Sequence, residues 1–226
     1  MSIIRSPRGY YISTLLSHLD WVEHSFGTAI VSPSPGYRLL RQVHSDKVLE
    51  ARECGPGVEG DALITRDQGI FVGVKTADCV PILIADPVHR AVAAVHAGWR
   101  GTLAGIAATT VTRMGEKFSS QPEDLVVAIG PSIGVCCFEV GPEVAVEFGG
   151  IFPERGDLLQ KTSLDLREAN LRQLLGAGVC ASRIDTDPPC TCCGGAEFYS
   201  WRRDRIAGQR MFAAIGSISP SGPTTR

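Results

Sequence analysis

Two nearly unbroken apolar runs, "VPILIA" at 80–85 and "AVAAV" at 91–95, flank the short polar stretch "DPVH" at 86–89. An Asp-Pro pair starts turns, because the aspartate bonds nearby backbone and proline presets φ, and four-residue connections commonly join antiparallel strands. The stretch therefore predicts a hairpin. Runs without polar alternation belong to strands covered on both faces, and "GIFVGV" at 69–74 and "LVVAIG" at 125–130 have the same character. Helical patterns between these runs supply the cover. One is expected to begin near Thr102, with Leu103, Ile106, Ala107, Thr110, Val111 and Met114 as its apolar stripe. A second is expected from Asp165, a capping residue with Glu168 three positions on, through Leu171, Leu174 and Leu175 to Gly176 as its stop.

These elements point to an α/β chain of the α+β type: one layered domain over 1–218, with mixed β-sheets covered by helices. The Ser, Pro and Gly-rich "SPSGPTTR" at 219–226 buries nothing and reads as a flexible tail. With 226 residues, 44% of them hydrophobic, the chain is long enough for a full core. Lys and Arg total 22 against 24 Asp and Glu, so a net charge of -2 gives no electrostatic footprint for nucleic acid or an anionic membrane. No run reaches the roughly 20 apolar residues of a spanning helix. The first twenty residues lack the apolar centre and cleavage site of a secretory signal, and a cytoplasmic protein, monomer or small homo-oligomer, is expected. The eight cysteines are expected to be reduced, with Cys54, Cys136, Cys137 and Cys180 acting as small buried hydrophobes.

The hairpin also carries chemistry. If Ala85 faces Arg90, counting back along both strands sets Cys79 directly opposite His96. Opposed side chains lie roughly 4.5 to 5.5 Å apart at Cβ and share a face, which suits two ligands of one metal or a thiol and its base. His44, in "LRQVHSDKV" at 40–48, is a candidate third ligand. Two imidazoles and a thiolate leave the fourth zinc position open, as catalytic sites do, and the set carries a formal +1. His18, His24 and His89 have ordinary readings. "CTCC" at 190–193 is a weak zinc signal, because paired ligands usually have two or more residues between them and no second pair follows it.

Five ordered blocks, "RQVHSDKV", "GDALITRDQGIFVGVKTADCVPILIAD", "VAAVHAGWRGT", "IGPSIGVCCFEVG" and "CTCCGGAEFYSWRRD", resemble the bacterial laccase-like polyphenol oxidase family, reassigned as zinc-dependent purine nucleoside phosphorylases. The resemblance implies that His44, Cys79 and His96 are metal ligands and that the fold is similar to deamidating-toxin cysteine hydrolases. It implies phosphorolysis of adenosine, inosine and S-methyl-5'-thioadenosine, with purine nucleoside and phosphate as partners and adenosine deamination as a second activity. Two departures stand out: a shorter loop before "LRQVHS", and Gln209 between the Gly and Arg of "GQR".

Arg100 is a candidate phosphate ligand at the helix following "HAGWRG", Trp99 a candidate purine platform, and Asp78 and Asp61 candidate acid or base groups. Arg202, Arg203 and Asp204 are expected to form an ion-paired cluster. Copper stands second to zinc, since a multicopper oxidase needs many histidines and this chain has five. A metal-free Cys79–His96 hydrolase acting on an amide or peptidoglycan precursor is the alternative.

Overall fold

The computed structural model describes residues 2–32, 36–55 and 57–219. In chain order the strands are β1 (Ile3–Arg5), β2 (Tyr11–Ser13), β3 (Val22–Phe26), β4 (Tyr37–Arg38), β5 (Val48–Glu50), β6 (Ala62–Thr65) and β7 (Phe71–Thr76), then β8 (Val80–Asp86), β9 (Ala91–Ala97), β10 (Val126–Ile129), β11 (Glu139–Val140), β12 (Thr162–Ser163), β13 (Ile184–Asp185) and β14 (Met211–Ser217). The helices are α1 (Trp99–Leu103), α2 (Ile106–Phe118), α3 (Pro142–Ala145), α4 (Leu166–Gly176) and α5 (Trp201–Asp204). The expected tail at 219–226 lies outside the described residues except for Ser219, whose hydroxyl accepts from the Gln68 amide at 2.7 Å.

Two six-stranded mixed sheets form the body, in the orders β13-β10-β8-β9-β6-β5 and β1-β2-β3-β14-β7-β4. The hairpin β8–β9 is the centre of the first sheet, and all of its strand residues are buried. Ile82, Ile84, Ala93 and Val95 pack with α2 and α4 through Ile106, Val111, Met114 and Leu174. Leu83, Ala85, Val92 and Ala94 pack instead against Val72, Val74, Ala213 and Ile215 of the second sheet. The covering expected on both faces is therefore helical on one face only, and a sheet supplies the other. Each fully buried aliphatic side chain here stabilises the fold by roughly 1.5–3 kcal/mol.

The register differs from the expected one by two residues. Asp86 faces Ala91 and Pro81 faces His96, so Cys79 is one diagonal step from His96, not directly opposite it. Asp86 belongs to the strand, and its buried carboxylate accepts from the Val88 and His89 amides at 2.8 and 3.1 Å, tightening the turn. Arg90 closes the turn at φ 52°. A slip of one would have separated the pair, whereas a slip of two keeps both side chains on the face toward the second sheet.

The helix expected near Thr102 begins at Trp99 and is broken at Gly105, whose φ of 84° no helix accommodates, before α2 resumes with the expected stripe buried. Asp165 caps α4 as expected, accepting from the Arg167 and Glu168 amides at 2.9 and 3.0 Å. The helix ends at Gly176 as expected, and the chain turns away just beyond it at Gly178, φ 97°.

His24, on β3, is a core residue: its Nε2 accepts from the Ser13 amide at 2.9 Å, and burial pulls its pKa down to about 4. An unfolded chain protonates this imidazole near pH 6.5 while the folded chain resists until about pH 4, so its contribution is complete above pH 6.5 and disappears as pH falls toward 4. Urea denaturation between pH 7 and 4 should show roughly 3 kcal/mol of stability lost through this group. His24→Gln should flatten that part of the profile.

Candidate metal centre

Three segments meet at one end of the two-sheet core. β8 begins just after Cys79, β9 carries His96 in its penultimate position, and the loop between β4 and β5 brings His44. The donor atoms of His44, Cys79 and His96 lie within 4.8 Å of one another. His44 Nε2 is 3.9 Å from Cys79 Sγ, and the two imidazoles meet edge to face with centroids 4.8 Å apart.

Asp61 builds this arrangement. It immediately precedes β6, and continuing the β6–β9 register sets it across from His96, whose amide donates to the Asp61 carbonyl at 2.7 Å. One carboxylate oxygen is 2.8 Å from His96 Nδ1, which leaves His96 Nε2 as the free donor. The same carboxylate accepts from the backbone amides of Val43, His44 and Ser45 at 3.2, 3.0 and 2.7 Å, and from the Ser45 hydroxyl at 2.8 Å. Gln42 clamps the other side of the loop, donating to the Lys75 carbonyl at 2.8 Å and accepting from the Lys75 amide at 2.7 Å. His44 is thereby held at φ 62°, which a non-glycine residue occupies only when its surroundings impose it.

Cys79 is presented by a second strained residue. Asp78 has φ 83°, and its carboxylate accepts from the Thr191 hydroxyl at 2.7 Å, the Ser200 hydroxyl at 3.0 Å and the Arg202 amide at 2.6 Å. Gly98 completes the site by what it lacks. A Cβ there would sit 2.7 Å from His44 Cδ2 and 3.1 Å from Cys79 Sγ.

Without a metal, burial pushes the Cys79 thiol up, but His96 and His44 outweigh it and bring the pKa to about 6. Burial pulls His96 down, and the Cys79 thiolate and Asp61 reverse this, raising it to about 9. Burial also raises Asp61, while the bonds from His96 and Ser45 hold it well below the usual carboxylate range. The donor set fits zinc. Its thiolate is formed at neutral pH, His96 is oriented through Nδ1 by a carboxylate as zinc-bound histidines are, and the donors, all within 4.8 Å of one another, would close to the roughly 3.3–3.6 Å edges implied by Zn–N and Zn–S bonds.

Two cavities share His44, Ala77, Cys79 and Trp201 as walls. The larger, of about 480 Å³, adds Arg41, Lys75, His96 and Arg210; the smaller, of about 250 Å³, adds Trp99, Arg100, Ile133, Phe138 and Arg202. Lys75 was not among the residues expected at the site, although a lysine near the end of an otherwise apolar strand was a readable signal. Gly98 and the hub role of Asp61 were not expected either. Arg100 lies over its neighbour Trp99, 4.1 Å from the ring centroid, in the smaller cavity. Trp99 is partly buried against the helix-side core. Arg203 pairs with Asp204 at 2.7 Å as expected, but Arg202 instead donates to the Cys137 and Glu139 carbonyls at 3.0 and 2.8 Å. Cys136 and Cys180 are exposed and Cys54 and Cys137 only half-buried, so none is the buried hydrophobe expected.

Residues 24–217 match the family model described as multi-copper polyphenol oxidoreductase laccase. The chain belongs to this family. It is 44% identical over 161 residues to a purine nucleoside phosphorylase of Bacteroides thetaiotaomicron, covering 69% of this chain and 60% of that relative. It is 40% identical over 191 residues to adenosine deaminase RL5 of an unidentified prokaryote, covering 77% of this chain and 72% of the relative. The crystal structure of YlmD from Geobacillus stearothermophilus superposes with a TM-score of 0.84 at 29% identity, covering 96% and 99% of the two chains. Among the described residues no helix is long and apolar enough to cross a membrane.

Gly98 has ordinary φ, so Gly98→Ala adds steric conflict without backbone strain. Elemental analysis should find one zinc per chain fewer in this variant than in the parent, while its thermal midpoint in chelator stays near that of the parent. Asp61→Asn should lower zinc affinity roughly 10–100-fold in competition with a chromogenic chelator, because an amide cannot accept all of these donors.

Proposed function

We propose that the protein is a zinc-dependent purine nucleoside phosphorylase. Adenosine, inosine or S-methyl-5'-thioadenosine would exchange its C1'–N9 bond for a C1'–O bond to phosphate, with a proton passing to the released base. Adenosine deamination is the proposed second activity. The observation that carries this reading is the placement of the His44, Cys79 and His96 donors between a cationic cavity and an aromatic one. The names of the phosphorylase and deaminase relatives support it. Zinc held there would supply Lewis acidity at an open coordination position.

The chain's own residues divide the work. Lys75, Arg41 and Arg210 line the larger cavity and would bind phosphate. Lys75 and Arg210 make no ion pair among the described residues, whereas Arg41 is paired with Glu59. Trp201, 45% exposed, borders both cavities, and with Phe138 and Trp99 it offers apolar faces for a purine. Arg100 is assigned to the nucleoside side. Asp78 acts as a positioning residue, since its oxygens hold Thr191, Ser200 and Arg202 and so fix the turn that carries Cys79. Free thiols throughout suit the expected cytoplasmic setting.

One observation favours a second reading. Cys79, His96 and Asp61 also form a thiolate, imidazolium and carboxylate series of the kind cysteine hydrolases use, as the likeness to that fold would imply. His44 weighs against it, because a third donor 3.9 Å from the sulfur is superfluous to a nucleophile but necessary to a metal.

Adenosine incubated with purified protein should yield adenine only when phosphate is present, and Cys79→Ser should abolish the release. Lys75→Ala should raise the phosphate KM roughly tenfold or more, the worth of a charge-assisted hydrogen bond. Phosphate-independent hydrolysis of an amide by zinc-free protein would instead establish the second reading.

A further inference from the structure

The "CTCC" segment acquires partners in the folded chain. Cys136 and Cys137, from the loop after β10, meet Cys190 and Cys193, and the four sulfurs all lie within 4.8 Å of one another. Cys193 Sγ is 3.1 Å from Cys137 Sγ and 3.5 Å from Cys136 Sγ. The missing second pair is thus supplied from more than fifty residues away, by a Cys-Cys dipeptide whose spacing matches no usual ligand pattern.

We propose that Cys136, Cys137, Cys190 and Cys193 form a second metal site, a four-thiolate zinc centre separate from the His44, Cys79 and His96 site. A tetrahedral Zn–S bond of about 2.3 Å requires sulfur separations of about 3.8 Å, within the range that the cluster shows. The backbone is prepared for this. The Gly134 amide donates to Cys190 Sγ at 3.2 Å, and a Cβ on Gly134 would lie 3.3 Å from Cys136 Sγ and 3.6 Å from Cys190 Sγ.

Arg167 fixes the two loops to each other independently of any ion. Its guanidinium donates to the Ser132 hydroxyl at 2.9 Å and to the Pro188 and Pro189 carbonyls at 2.7 and 2.8 Å. The Thr191 amide adds a bond to the Ser132 carbonyl at 3.0 Å. Zinc entering the site displaces one proton from each thiol to solvent, and the resulting formal charge of two minus sits beside the Arg167 cation. Exposed Cys136 and Cys193 give the ion a path in, while Cys192 turns away to pack against the core.

The site would act as a structural clasp. Phe138 and Arg202 line the smaller cavity, and Arg202 bonds the carbonyl of Cys137 itself, so the clasp would hold a wall of that cavity. The donors are all soft, which selects zinc over magnesium or calcium.

Protein purified under reducing conditions and loaded with zinc should contain two zinc ions per chain by elemental analysis. Cys190→Ser with Cys193→Ser should contain one, and His44→Ala with His96→Ala should also contain one. Cobalt added to the latter variant should give the intense sulfur-to-metal absorption of several thiolates, absent when Cys136→Ser and Cys193→Ser are added. Circular dichroism of each variant separates loss of a ligand from loss of the fold. One zinc in the parent with one still present in the cysteine variant would overturn the proposal. So would a reduced parent that binds no cobalt at these sulfurs, or one that forms a disulfide between them in preference to binding metal. Because the two ions are counted in separate variants, failure here leaves the nucleoside site standing, and the reverse holds equally.

Discussion

The Asp61 carboxylate is the interaction on which the site depends. Buried without solvent, it collects three consecutive backbone amides, a hydroxyl and an imidazole. A buried carboxylate with so many donors stays ionised despite its desolvation, and removing either side of such an arrangement costs about 3–5 kcal/mol. The same oxygen atoms fix a loop conformation and a tautomer. His44 is brought to the site through its backbone, His96 through its ring, and Cys79 through the strand next to His96. One group at the rim of a covered sheet thereby sets the geometry of three donors from three segments.

This hub also changes the electrostatics of the centre. Two neutral imidazoles and one thiolate around zinc carry a formal +1, but Asp61 contacts one of those imidazoles directly and offsets it. Attraction of an anion then falls to the cavity wall, where Lys75, Arg41 and Arg210 gather on one side of the donors. The aromatic side has a different character, with Trp99 and Phe138 beneath the cations Arg100 and Arg202. A ligand combining an anion with a flat base suits this division better than a simple phenol does.

Much of the core was legible because local patterns and tertiary environment agree. The β8–β9 hairpin follows from two apolar runs and a turn, and the cap of α4 follows from Asp165. The face shared by Cys79 and His96 was correct although the register was not, since the expected turn assigned Asp86 to the loop when its carboxylate caps the turn from inside the strand. What could not be read was long-range. Nothing near Cys190 announces Cys136, because an arginine on a distant helix assembles their loops. Nor does any period or motif announce that Gly98 must lack a side chain. That requirement arises only after His44, thirty-five residues from Cys79, has been folded over the strand ends.

Of the two strained backbones in the site, one belongs to the donor His44 and the other, at Asp78, adjoins the donor Cys79, and both are held by carboxylates: His44 by that of Asp61, Asp78 by its own. Left-handed conformations at non-glycine residues cost of order 1–3 kcal/mol each and persist only where other contacts over-determine them. Those contacts here are protein bonds, made whether or not an ion is present. The donors are therefore arranged before any metal arrives, and binding need not be spent on folding the site. This distinguishes it from small zinc domains, in which the ion supplies the folding free energy itself. A pre-formed centre set at the end of a rigid, doubly covered hairpin can leave one coordination position open without collapsing around the ion, which is what a catalytic use of the metal requires and a purely structural use does not.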